Sequence, residues 1–171
     1  MNEDRLKRLA ARLDRLAEKD ERLIEDTRKV EAARRRASVQ LHSMCLHLVR
    51  ELNALVTRSR IELSPDTFSE ETYRETGVNL FQINARGRLV QIAFEATDKL
   101  SSTEYFPSPY ILQGAVRWYN QELLEGRGIE EEQLFLCWEE RTGSAWRWLD
   151  PKTRRAGQFD ADHVMGLIER L

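Results

Sequence analysis

Up to about residue 56 the apolar positions recur every three or four residues: Leu6, Leu9, Leu13, Leu16, Leu23, Val30, Ala37, Leu41, Met44 and Leu48. That spacing keeps one face of an α-helix apolar. Neither glycine nor proline occurs before Pro65, and Ala, Leu, Arg, Glu and Lys dominate the stretch, all of them good helix formers. With Leu6 at heptad position a, the a series runs Leu6, Leu13, Asp20, Thr27, Arg34, Leu41, Leu48 and the d series Leu9, Leu16, Leu23, Val30, Ala37, Met44. The pattern predicts a long coiled-coil-like helix through residue 63, with a helix-pairing seam of Leu6, Leu9, Leu13, Leu16, Leu23 and Val30. The polar a positions Asp20, Thr27 and Arg34 weaken a homotypic seam and point to register control or a different partner chain.

The stripe then widens. In VQLHSMCLHLVRELNALV (residues 39–56), Met44, Leu55, Leu48, Leu41, Leu52, Cys45, Val56 and Val49 spread over an arc of roughly 140°, as on a helix packed against a globular core. The helix is therefore expected to become part of a head domain, with a protruding segment over 1–38 and the head over 39–171. His42, Cys45 and His47 share the stretch, but residues five apart point away from each other on a helix, and two ligands do not make a zinc site. A core cysteine with flanking surface or interface histidines is the expectation.

After residue 63 the rhythm changes. SPDTFSEETYRETG (64–77) reads as a break and a short helix capped by Ser64 or Asp66 and closed by Gly77. Apolar residues then alternate with polar ones, the period of a half-buried strand. VNLFQIN and LVQIAFEA form a hairpin across ARGR, ILQGAVRWYNQ a third strand, and QLFLCWEE with SAWRWLD a second hairpin across RTG. LLEGRGIEEE is a charged link with room for a turn of helix, PKTRRAGQ a loop, and FDADHVMGLIERL a closing helix capped by Asp160 or Asp162. The expected fold is α+β: a five-stranded antiparallel sheet with one face covered by helices and the other wet. In YFPSPY, Pro107 and Pro109 mark a surface turn, and Tyr105, Phe106 and Tyr110 are the candidate partner-contact patch.

Charge sharpens the division of the chain. Residues 1–63 carry 15 Lys/Arg against 11 Asp/Glu, and residues 64–171 carry 12 against 18. A basic helix admits a nucleic-acid-associated factor, with Arg28, Lys29 and the candidate anion-binding group Arg34, Arg35 and Arg36 as its contacts. Two cysteines in 171 residues suit a reducing compartment. No stretch has the roughly 18–20 consecutive apolar residues of a membrane span, and the first residues lack a signal-peptide core. These features fit a cytoplasmic protein with no membrane partner.

Catalytic signatures are missing from the pattern. There is no glycine-rich phosphate loop, HExxH, CxxC or G-x-S-x-G elbow. His163 between Asp160 and Asp162 reads as a helix N-terminus whose aspartates complement the dipole, and the acidic runs EEE and EE as solvated edges. The expected function is a non-enzymatic oligomerisation or interaction module without cofactor or metal. Its helix pairs with itself or another helix and its head binds a protein or peptide. A small-ligand sensor domain with a pocket beneath the sheet is the remaining alternative.

Overall fold

The computed structural model describes residues 3–101, 103–106, 108–123 and 128–171, without the side chains of Lys99 and Leu123. A 53-residue helix, α1 (Glu3–Leu55), opens the chain. Seven strands follow: β1 (Ile61–Ser64), β2 (Asn79–Ala85), β3 (Arg88–Ser101), β4 (Tyr110–Asn120), β5 (Glu130–Glu139), β6 (Gly143–Asp150) and β7 (Arg155–Gln158). A second helix, α2 (Ala161–Glu169), follows β7. The strands form one antiparallel meander in chain order, so the α+β class and the antiparallel sheet expected from the period switch are found. The chain divides into two compact units, Met1–Ala32 and Ala33–Leu171.

Among the described residues the sheet has seven strands rather than five, and β1 and β7, which the sequence does not predict, are four residues long. β1 lies where the absence of glycine and proline predicts more helix. Instead α1 stops at Leu55, and the Asn53 side-chain amide bonds both the N–H and the carbonyl of Ile61 at 2.8 Å. Asn53 thus satisfies backbone groups that β1 leaves free on its outer side. β7 replaces the expected 151–158 loop. Asp150 organises its approach, its carboxylate accepting from the Lys152 and Thr153 N–H groups and the Thr153 hydroxyl. The short helix expected over 64–77 is absent: the segment is a run of turns, held by Asn79, whose amide bonds both the N–H and the carbonyl of Arg74 at 2.9 Å. The turn of helix allowed for the 123–132 link falls partly on 124–127, outside the described residues; Gln121–Leu123 form a 3-10 turn just before it.

The β2–β3 hairpin follows from its turn. Arg86 and Gly87 both have positive φ, 58° and 84°, the pair of values a two-residue type I′ connection requires. Phe81, Ile83, Val90, Ile92, Phe94, Leu112, Val116, Leu134 and Leu136, at alternate positions of β2–β5, are almost fully buried. Against this face lie the inward side chains of α1, namely Ala37, Leu41, Cys45 and Leu48, and Val164 and Leu167 of α2. An aromatic ladder joins the layers. His42 meets Phe81 edge-on at 5.2 Å, Phe81 meets Phe94 at 5.4 Å, and Phe94 meets Trp146 at 5.1 Å. The Trp146 indole N–H then donates to the Ala37 carbonyl of α1 at 3.2 Å. His42 is therefore core rather than a flanking surface histidine: it is 3% exposed, with Nε2 2.7 Å from the Pro65 carbonyl oxygen. Burial starts at Arg34 and Ala37, so the second unit takes up the helix a few residues before the expected boundary at 38/39.

One strand position tolerates no side chain. A Cβ on Gly114 of β4 would lie 1.9 Å from the Ala93 carbonyl oxygen and 2.7 Å from the Phe94 Cα. Gly166, inside α2, would meet nothing within 4 Å. Gly114→Ala is expected to cost about 3 kcal/mol or more, since backbone must move. Gly166→Ala should stabilise by about 0.5–1 kcal/mol through helix propensity. Urea unfolding of the two variants checks both signs.

Candidate functional site

Two polar constellations in the second unit invite a chemical reading, and both are structural. In the first, Arg34 turns its guanidinium inward. Nε donates to the Ile111 carbonyl at 2.9 Å, Nη2 to the Thr97 carbonyl at 2.5 Å, and Nη1 to Glu75. Thr97 and Ile111 sit where the β3–β4 register breaks between Ala96 and Ser101. A buried bulge leaves carbonyls without ladder partners, and Arg34 supplies donors there. Its three-way fork suits that task better than the point charge of a lysine. Tyr73 lies beside the cluster; burial first, and the Glu75 carboxylate next, push its phenol above the ordinary value. The expected Arg34–Arg35–Arg36 anion group is not assembled as one surface: Arg34 is 8% exposed and committed to protein oxygens, while Arg35 and Arg36 are exposed.

The second constellation is His163 with Glu132. Their Nε2 and Oε2 are 2.7 Å apart, with side chains 13% and 5% exposed. Trp148 stacks on the imidazole at 4.5 Å and Phe159 meets it edge-on. Asp160, not Asp162, caps α2, accepting from the His163 N–H at 3.0 Å. Glu132 is thus a core group, whereas its neighbours in EEE, Glu130 and Glu131, are solvated. The aromatic cover over the imidazole leaves this pair as a packed ion or hydrogen-bond pair rather than an exposed acid–base site. Among the described residues, no group of three or more His, Cys, Asp or Glu could hold a metal ion.

Two surfaces remain. On the sheet face away from the helices, Ala93, Gly114 and Ala115 line a shallow groove of about 420 Å³ together with Val78 and Phe135, and Glu95, Gln113, Arg117 and Gln133 contribute polar groups. The YFPSPY patch is largely folded in beside it. Phe106 is 9% exposed and clusters with Cys137 and Leu149, with Tyr110 and Phe135 packed against them. Of the three patch aromatics only Tyr105 is exposed; Pro107 lies outside the described residues. Packing, not solvent, therefore takes two of the three side chains.

The other surface is the first unit. Every residue from Glu3 to Lys29 is exposed, including Leu6, Leu9, Leu13, Leu16, Leu23 and Ile24, which are 46–66% exposed. Val30 alone of the seam is half-buried. Thr27, at a seam position, returns its hydroxyl to the Leu23 carbonyl at 2.9 Å, so its polar group is satisfied within the helix. Asp20 has no such device in the seam. Single exposed leucines are ordinary, but five at heptad spacing on one helix face form an apolar stripe, interrupted at Asp20. Comparison with family models, with curated proteins and with solved structures finds no match for this chain. No described helix is long and apolar enough to cross a membrane.

The thiols are equally quiet. Burial pushes Cys45 up from an ordinary 9.0 to about 12 and also raises Cys137. A raised folded-state value means the neutral thiol is favoured on folding, so this contribution is complete below about pH 9 and is lost as the pH rises toward 12. Cys45 is expected to resist thiol reagents at pH 8 until the chain unfolds, as a thiol titration with and without denaturant reads directly. Arg34→Ala is expected to cost about 3 kcal/mol by stranding buried partners, and Arg36→Ala to stay within about 0.5 kcal/mol. Denaturant melts of the pair distinguish them.

Proposed function

We propose that this chain is a non-enzymatic interaction module that uses residues 3–30 of α1 as a helix-pairing surface. One observation carries the reading: the leucine stripe Leu6, Leu9, Leu13, Leu16 and Leu23 keeps heptad spacing while remaining solvent-exposed. An isolated helix with so narrow a stripe is marginal in water, and pairing is the ordinary way to cover it. The head contributes a stable anchor and a second, smaller contact surface, the Ala93–Ala115–Phe135 groove, suited to an uncharged segment of a protein partner. Against use of the helix as a nucleic-acid arm, residues 1–32 hold nine basic and nine acidic residues, and Arg34 is spent inside the head.

The test keeps the full chain. Its mass is measured by light scattering, alone and with a heptad peptide bearing Leu at a and d and uncharged Gln at the flanking positions. The expected outcome is a defined complex with itself or with the peptide, abolished by Leu13→Asp with Leu16→Asp while the melting temperature of the head is unchanged. A monomer that ignores the peptide contradicts the reading.

A further inference from the structure

The stripe has a preferred side. Arg12 stands three residues after Leu9 and four before Leu16, and Lys19 holds the same place between Leu16 and Leu23; on a helix those neighbours share a face. Heptad positions g and c between 5 and 29 are Arg5, Arg8, Arg12, Arg15, Lys19, Arg22, Asp26 and Lys29, seven of the eight being basic. The other border of the stripe is Ala10, Ala17 and Ile24 at e, with mixed charges beyond. Nine basic and nine acidic residues cancel over 1–32, so the ridge arises by segregation of charge, not by excess.

We infer that the stripe's occupant is a helix of a different protein whose own apolar seam is bordered by Asp or Glu along the Arg5–Arg12–Lys19 edge, with a basic or amide side chain opposite Asp20. The inference rests on the helix-pairing reading above and decides between its two branches. A second copy is a poor occupant. In a parallel in-register pair Asp20 would face Asp20, and the g-to-e′ contacts would be Arg5–Ala10, Arg12–Ala17, Lys19–Ile24 and the like-charged Asp26–Glu31, none of them attractive. In an antiparallel pair the g flanks face each other, setting the Arg and Lys ridges together at cost. An anionic bilayer or a nucleic acid would engage the ridge, but it would leave the cancelling acidic residues repelled, and a nucleic acid would leave the leucines wet. An acidic amphipathic helix satisfies ridge, stripe and Asp20 together, the repulsive alternatives supplying the specificity.

Three heptad peptides test this with the full chain, each with Leu at a and d and one Lys placed to oppose Asp20. Their flanking e and g positions are all Glu, all Gln or all Lys. Fluorescence anisotropy is expected to rank Glu over Gln over Lys, with about tenfold or more between the extremes, a difference of about 1.4 kcal/mol. The Arg5→Glu, Arg12→Glu, Lys19→Glu variant should reverse the order. The chain alone should stay monomeric at micromolar concentration. Equal affinity for the three peptides overturns the inference while leaving helix pairing intact. So does a defined homo-oligomer lost on Leu13→Asp, or tighter binding to a duplex oligonucleotide or phosphatidylserine vesicles than to the Glu peptide. Binding to none of the peptides overturns the inference and the pairing reading together.

Discussion

Burial of one face of α1 against the sheet, from Ala37 through Leu48, is the interaction on which the second unit depends. The seven-stranded meander turns its largest apolar side chains, among them Phe81, Ile92, Leu112 and Leu134, to one face, and α2, with nine residues, is too short to cover the whole of that face. The end of α1 supplies the rest. Its dense burial also explains why the polar groups on the same face are bound so specifically. Arg34, Ser38 and His42 are all inside, where an unpaired donor or acceptor costs about 1–3 kcal/mol, and each has a protein partner: Ser38 returns its hydroxyl to the Arg34 carbonyl at 2.7 Å, and His42 meets the Pro65 carbonyl. Polar contacts here fix the register of helix on sheet, and apolar area supplies the driving force.

The same helix serves two ends by changing which residues hold its seam positions. From Leu41 onward the inward side chains are Leu41, His42, Cys45, Leu48 and Val49, with His42 edge-on to Phe81 of the sheet. Over residues 3–29 the seam positions are Leu with Asp20 and Thr27, exposed to water. A chain selected only for monomer stability has no physical need for five leucines in that register, and a strong homotypic coiled coil has no need for Asp20. That combination is what the proposed pairing with a different helix accounts for.

Much of this architecture was legible because two periods dominate the chain. The long helix, though not its end at Leu55, both hairpins and the closing helix with its cap narrowed to Asp160 or Asp162 all follow from spacing and turn residues. The missed elements have no such signal. β1 is the four residues IELS, too short to separate from the helical run before it; it is held by pairing with β2 and by Asn53 on its outer side, contacts no local pattern announces. β7, RAGQ, has no apolar alternation; it exists because β6 offers an edge, with Gly157 so close to Trp148 that a Cβ would lie 2.9 Å from the indole nitrogen. Arg34 was readable in part. Its a position marks it as inward-facing, but its role became visible only with the β3–β4 bulge, a tertiary event. The burial of Phe106 and Tyr110 likewise depends on Cys137 and Phe135, brought beside them by the sheet.

α1 is packed from residue 37 to residue 49 and exposed from residue 3 to residue 29, and native-state amide hydrogen exchange reads the difference in stability most directly. Amides of residues 37–49 should exchange only through global unfolding, whereas those of residues 6–29 should exchange orders of magnitude faster in the chain alone, through local opening. Uniform protection from residue 6 to residue 49 in the chain by itself would contradict it, because the leucine stripe would then already be covered.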